Sequence, residues 1–203
     1  MLVALLAFAT YILGGATARA GPPPVVNEKA ADSLIEFFLN PRKGRGVLPP
    51  ALSVSIGRDG KLLFAKGYGE AHPGHKADAA TVYRIGSITK QFTCQVLLAA
   101  LGDPAHFDDK VAAFLPQFTG PMPTVKQLCD NQSGLRDYWA LTALQGAFAE
   151  QPFRREDALP LIARMKTGHF PPGSQYSYCN CNFRILSEMI EAETGQPLET
   201  LYK

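Results

Sequence analysis

The stretch TVYRIGSITKQFTCQVLLAAL, residues 81–101, decides how this chain is read. It holds Ser87 and Lys90 three residues apart, at the point where an extended segment becomes an apolar run that ends at Gly102. If Ser87 opens a helix, Lys90 lies one turn on and on the same face. The run predicts a helix from about Ser87 to Leu101, stopped by Gly102. Ile88, Phe92, Val96 and Ala99 would form one buried stripe, extended around the helix by Leu97, Leu98 and Ala100. A helix that apolar is expected to be central.

Serine is a poor nucleophile at its free pKa and needs a base. Ser-x-x-Lys is the spacing of an activated serine, and Tyr178-Cys179-Asn180 far downstream supplies a phenol and an amide to work beside it. A nearby ammonium favours the ionised phenol, so Tyr178 could take the Ser87 proton and pass it to a leaving amine. Alternatively, a neutral Lys90 takes that proton itself; both routes stand. Asn180 would orient a substrate carbonyl or amide. With Ser and Lys at about 6% each, one Ser-x-x-Lys arises by chance in roughly every 300 positions, so the spacing carries weight only in context.

The remainder divides simply. Residues Leu2 to Ala18 are uncharged and apolar and run into Ala18-Arg19-Ala20 and a proline-rich start, which reads as a signal peptide over 1–20 or, if uncleaved, an anchor. Residues 21–50 read as an N-terminal helix, with Leu34, Ile35 and Phe38 on its apolar side, and a loop over 41–50. Residues 51–57 and 61–68 flank Arg58-Asp59-Gly60 and predict a hairpin. His72-Pro73-Gly74-His75 reads as a turn rather than a metal site, and His106 and His169 stand in loops. Short helical pieces are expected within 103–120 and over 124–129, a polar turn over 131–134, an extended or looped segment over 176–182, and a last helix carrying Phe183, Leu186, Met189 and Ile190. Tyr138 and Trp139 are expected to pack under the polar turn, although Asp137 and Tyr138 could instead line a substrate cleft.

The 203 residues are 46% hydrophobic and 19% charged, enough for one domain of ordinary size with a packed core. A formal net charge of +2 argues against a polyanionic partner such as nucleic acid. The four cysteines, Cys94, Cys129, Cys179 and Cys181, read as packed thiols, and no Cys/His spacing suits zinc. No Gly-x-Ser-x-Gly elbow, Walker loop or dinucleotide fingerprint is present, so no cofactor is expected.

Residues 81–101 resemble the nucleophile segment of the serine β-lactamase and penicillin-binding family. Three further stretches are similar to it: FDDKVAAFLPQF (107–118), TVKQLCDNQSGLRDYW (124–139) and PPGSQYSYCNCNFRILSEMIEAETG (171–195). The wording NQSGLRDYWAL together with HFPPGSQYSYCN most resembles the D-stereospecific aminopeptidases. The resemblance implies an α/β fold of the α+β type, an antiparallel sheet with a helical subdomain, over residues 51–203. It implies that Ser87 is the acylated nucleophile and its N–H half of the oxyanion hole. Lys90 would be its activating partner, Tyr178 the general acid/base and Asn180 a substrate residue, with no metal or cofactor. The implied activity is hydrolysis, through an acyl-enzyme, of amides in D-amino-acid peptides. A β-lactamase, a D-alanyl-D-alanine carboxypeptidase or an esterase of the same family remain alternatives, so the partner is a small peptide or a β-lactam. The family's third motif, Lys-Thr-Gly or His-x-Gly, follows Tyr-x-Asn. Here Lys166-Thr167-Gly168 precedes it and reads as a helix end with Gly168 as cap. The chain is therefore expected to be the N-terminal portion of such a domain, truncated before its C-terminal strands, or else an inactive fragment that at most binds ligand. The leader implies a periplasmic or secreted protein, with membrane contact only if it stays uncleaved.

Overall fold

A computed structural model describes residues 25–39, 51–147 and 154–203. The segments read above as leader and loop, 1–20 and 41–50, lie outside them. The chain divides into two compact units, Met1–Ile85 and Gly86–Lys203. Among the described residues no helix is long and apolar enough to cross a membrane.

In the first unit, helix α1 (Glu28–Leu39) starts at Asn27, whose side chain accepts from Ala30 N at 3.1 Å. Ala31, Ile35 and Leu39, four apart, form the face that packs on Phe64 and Tyr68. This corrects the expected apolar side, because Leu34 and Phe38 are exposed while only Ile35 of that trio packs. Two stripes four apart compete, Ala30/Leu34/Phe38 and Ala31/Ile35/Leu39, and only packing on Phe64 and Tyr68 selects the second. Strands β1 (Leu52–Arg58) and β2 (Lys61–Tyr68) pair antiparallel from Leu52↔Tyr68 to Arg58↔Lys61, with a bulge at Ile56/Gly57. Asp59 and Gly60 both take positive φ, 51° and 72°, as a two-residue turn matching strand twist requires. Asp32 ties α1 to β2, accepting from Tyr68 OH at 2.6 Å and from Lys66 Nζ at 2.8 and 2.9 Å. A second small hairpin, β3 (Glu70–His72) and β4 (His75–Lys76), turns at Pro73-Gly74 and brings the two histidine rings to 3.9 Å between centroids.

The second unit is helical and built around one buried helix. A 3-10 turn (Gly86–Ile88) leads straight into α2 (Thr89–Leu101), which ends at Gly102. A run of 3-10 turns (Pro104–Phe114) is capped by Asp103, and α3 (Val125–Cys129) by a reciprocal Thr124/Gln127 capping box. Helices α4 (Tyr138–Leu144) and α5 (Arg155–Ala163) follow, then α6 (Asn180–Thr194), closed by Gly195 in the left-handed region, and the short α7 (Leu198–Leu201). Helix α6 buries Cys181, Asn182, Ile185, Leu186, Met189 and Ile190, a stripe repeating every four residues. Leu97, Val111, Leu128 and Ile162 close over it from α2, the 3-10 run, α3 and α5.

Three expectations need correcting here. The buried face of α2 is Thr93 and Leu97 with Cys94, Val96 and Leu101 beside them, whereas Phe92, Leu98, Ala99 and Ala100 are exposed. From Val96 to Leu101 the helix is apolar all round, so periodicity alone cannot choose a face; packing against α6 does. The extended or looped segment expected over 176–182 ends at Cys179, because α6 begins at Asn180. Gly168 is not a helix cap: α5 ends at Ala163, and the chain after Lys166 runs alongside the polar turn, with His169 N donating to Gly134 O at 2.8 Å.

Candidate active site

Ser87, Lys90, Tyr178 and Asn180 all lie in the second unit, and the structure brings the four side chains together. Ser87 sits in the 3-10 turn before α2 and Lys90 in the first turn of α2, so the three-residue spacing places both on one side of a continuous helical path. Lys90 Nζ donates to Ser87 Oγ at 3.0 Å and to Asn180 Oδ1 at 2.9 Å. Tyr178 OH donates to Ser87 Oγ at 2.6 Å. The ammonium also lies 4.7 Å from the Tyr178 ring centroid and 5.2 Å from that of Phe183.

Tyr178 and Asn180 stand on either side of the start of α6, and their placement is set by the polar turn rather than by α6 alone. Asn131 takes positive φ, 55°, and its carbonyl accepts from Ser177 N at 2.9 Å. Its side-chain oxygen accepts from Cys179 N at 3.1 Å and from Asn182 Nδ2 at 3.3 Å. Ser133 Oγ donates to Asn182 Oδ1 at 2.6 Å and accepts from Leu135 N at 3.1 Å. Asn182 is fully buried, and both ends of its amide are satisfied. Gly134, at φ 73°, lets the turn approach the 168–170 segment: a Cβ there would lie 2.1 Å from Phe170 O. The residues bracketing Tyr178 are thus stitched to 131–134 by main-chain and buried side-chain bonds.

Asp137 is the residue whose part sequence reasoning misses, since the sequence suggests only a cleft-lining side chain. Its Oδ1 caps α4 by accepting from Trp139 N at 3.2 Å, and its Oδ2 accepts from Asn180 Nδ2 at 2.8 Å. Tyr138 packs against the core, and burial pushes its phenol above the usual range. Trp139 is exposed, so of the two aromatics only Tyr138 packs against the core.

Asp137, Cys179 and Cys181 bring a carboxylate oxygen and two sulfurs within 4.8 Å of one another. Each of these atoms already has a partner in the chain. Cys181 Sγ donates to Arg136 O at 2.9 Å and accepts from Tyr138 N at 3.3 Å, and the two thiols bond each other. That bond, reinforced by burial, holds the Cys181 proton well above the ordinary thiol range. The two sulfurs therefore act as packed, hydrogen-bonded groups beneath the site.

One serine oxygen receives an ammonium and a phenol, and the ammonium is anchored from behind by an amide. D-aminopeptidases are similar to this chain in sequence. It is 58% identical over 177 residues to a D-aminopeptidase of Cereibacter sphaeroides, an alignment covering 86% of this chain and 33% of the relative. It is 48% identical over 170 residues to a D-aminopeptidase of Brucella anthropi, covering 82% and 32% respectively. The chain thus spans about a third of the length of these relatives. Among solved structures, it is similar to a D-stereospecific amidohydrolase from Streptomyces, at TM-score 0.61 and 29% identity over 84% of this chain and 52% of the other. It is also similar to an octameric penicillin-binding protein homologue from Pyrococcus abyssi, at TM-score 0.69 and 26% identity over 87% and 41%. These likenesses agree with the β-lactamase/transpeptidase-like α+β fold expected above. The sequence profile of the beta-lactamase family matches residues 48–203, and the chain belongs to that family.

Proposed function

We propose that this chain carries the nucleophile and acid/base groups of a serine hydrolase that cleaves amide bonds in D-amino-acid peptides through an acyl-enzyme. The observation that carries the reading is the convergence of Lys90 Nζ and Tyr178 OH on Ser87 Oγ, at 3.0 and 2.6 Å. The D-aminopeptidase relatives and the D-stereospecific structural neighbour support the substrate class.

Chemically, Ser87 Oγ forms a bond to the carbonyl carbon as its proton passes to Tyr178 ionised as phenolate, or to a neutral Lys90. The tetrahedral intermediate collapses when that proton reaches the departing nitrogen, the C–N bond breaks, and an ester to Ser87 remains. Water then adds to the ester carbon, giving its proton to the same base, and the acid leaves as Ser87 regains its proton. The helix N-terminus beside Ser87 favours the negative charge that builds at each stage. Asn180, reaching Lys90 with its oxygen, keeps the ammonium beside Ser87.

The apolar leader over 1–20 supports export, and a periplasmic or secreted location would bring the protein to D-residue peptides outside the cytoplasm. The test is a panel of D-alanyl and L-alanyl p-nitroanilides, a cephalosporin and a short-chain ester. Release from the D-alanyl anilide, absent in Ser87→Ala, supports the reading. Preferential turnover of the cephalosporin or the ester would move the protein to another activity of the family. No turnover of any of them by the folded chain would leave it, at most, a ligand-binding piece.

A further inference from the structure

We infer that Asp137 is a positioning residue for the reaction proposed above: its carboxylate dictates which end of the Asn180 amide faces Lys90. The inference rests on the hydrolase reading of Ser87. Its basis is an unbroken chain of contacts. Asp137 Oδ2 accepts from Asn180 Nδ2 at 2.8 Å, Asn180 Oδ1 accepts from Lys90 Nζ at 2.9 Å, and Lys90 Nζ donates to Ser87 Oγ at 3.0 Å.

The two ends of a primary amide are nearly alike in shape and opposite in character. The NH2 end only donates and the oxygen only accepts. An ammonium only donates, and a carboxylate only accepts. With Asp137 on one side of Asn180 and Lys90 on the other, one orientation makes two hydrogen bonds. The flipped orientation sets NH2 against ammonium and oxygen against carboxylate. Asp137 therefore holds the amide oxygen toward Lys90. Lysine has a flexible four-carbon stem, so its ammonium stays beside Ser87 only if something anchors it.

Asp137 is itself well placed for this. Its second oxygen caps α4 through Trp139 N, which fixes the carboxylate plane. The neighbouring guanidinium is turned to other partners: Arg136 Nε donates to Thr167 O at 3.1 Å and its NH2 group to Gly168 O at 3.4 Å. The Asp137 charge is thus left to act through Asn180 on Lys90.

The test compares the rate at which a fluorophosphonate labels Ser87, read by intact mass, in four forms of the full chain. They are the native chain, Asp137→Asn, Asp137→Ser, and the exchange Asp137→Asn with Asn180→Asp. Asn and Ser both cap helices as well as Asp, so melting temperatures should match that of the native chain. Each single variant should label about ten- to a hundredfold more slowly, the range expected when a hydrogen bond to a charged group is lost. The exchange rebuilds the donor–acceptor order, because the amide now at position 137 donates to the carboxylate now at position 180, which accepts from Lys90. It should recover at least half of the lost rate on a logarithmic scale, which a purely structural role would not produce. Native-rate labelling by both single variants, with native labelling intact, would overturn the assignment and leave the Ser87 reading standing. An exchange form slower than either single variant would also overturn it. So would a melting temperature lowered alike in all three, which would make Asp137 a capping residue only. Failure of the folded native chain to label at Ser87 would overturn the hydrolase reading and this inference with it.

Discussion

The Tyr178 hydroxyl donates to Ser87 Oγ at 2.6 Å across 91 residues of sequence. Of the two groups that meet Ser87 Oγ the phenol is the closer, 2.6 Å against 3.0 Å for Lys90 Nζ. Tyr178→Phe should therefore slow acylation of Ser87 by about 100- to 10,000-fold, the range for loss of a positioned acid/base. Tyr178 is 43% exposed, so the melting temperature should hardly change. Stopped-flow or timed mass spectrometry of Ser87 labelling checks the rate, and a thermal melt checks the fold.

The buried Ser133–Asn182 bond should be worth more to stability than its length suggests. Ser133→Ala leaves Asn182 Oδ1 and Leu135 N without their present partner inside a closed network. The expected loss is about 1–3 kcal/mol in urea unfolding, the desolvation penalty of a stranded polar group. Asn182→Leu, which leaves the Ser133 hydroxyl proton without its acceptor, should cost at least as much.

Much of this framework is legible in the sequence, and the reasons for the rest are specific. The Ser87–Lys90 pair is readable because a helix forces residues three apart onto one face, whatever surrounds it. The Asp59-Gly60 turn is readable because positive φ at two successive positions suits few residue pairs. The buried face of α2 is not, because Phe92, Leu97 and Leu98 are equally apolar and only packing against α6 selects among them. Nor is the role of Asp137. Its partners, Trp139 and Asn180, lie two and forty-three positions away, and the nearer bond alone looks like an ordinary helix cap. Lys166–Gly168 misleads for a related reason: Gly168 is required by the close approach of Gly134 O, 2.8 Å from where a Cβ would sit, and not by a helix end.

Gly134 and Gly60 offer a controlled comparison. Both have positive φ, but a Cβ at Gly60 meets open space, whereas one at Gly134 would lie 2.1 Å from a main-chain oxygen. Gly60→Ala should cost about 1 kcal/mol from the backbone conformation alone. Gly134→Ala must also move the 168–170 segment and should destabilise by several times as much, and it should slow Ser87 labelling because that turn holds Tyr178. Paired urea titrations with labelling rates check both statements.

Acid should weaken the clasp between α5 and α6. Arg155 bonds Glu191 and Glu188, and its hydrogen bond holds the Glu191 carboxyl below the usual range. A carboxylate lowered on folding stabilises the protein above its unfolded pKa, about 4.3, and that contribution disappears as pH falls through the folded value. With Arg155 49% and Glu191 20% exposed, screening keeps the effect to about 0.5–1 kcal/mol. Arg155→Met should lower stability at pH 7 by that amount and flatten the decline below about pH 4.3. Urea midpoints from pH 7 to pH 3 check it.

The most direct test is intact mass spectrometry of the folded chain after incubation with a penicillin, with Ser87→Ala alongside. A stoichiometric adduct that maps to Ser87 and vanishes in Ser87→Ala is the expected result. A folded chain that acquires no adduct, or one that Ser87→Ala retains, would contradict the assignment of Ser87 as an activated nucleophile.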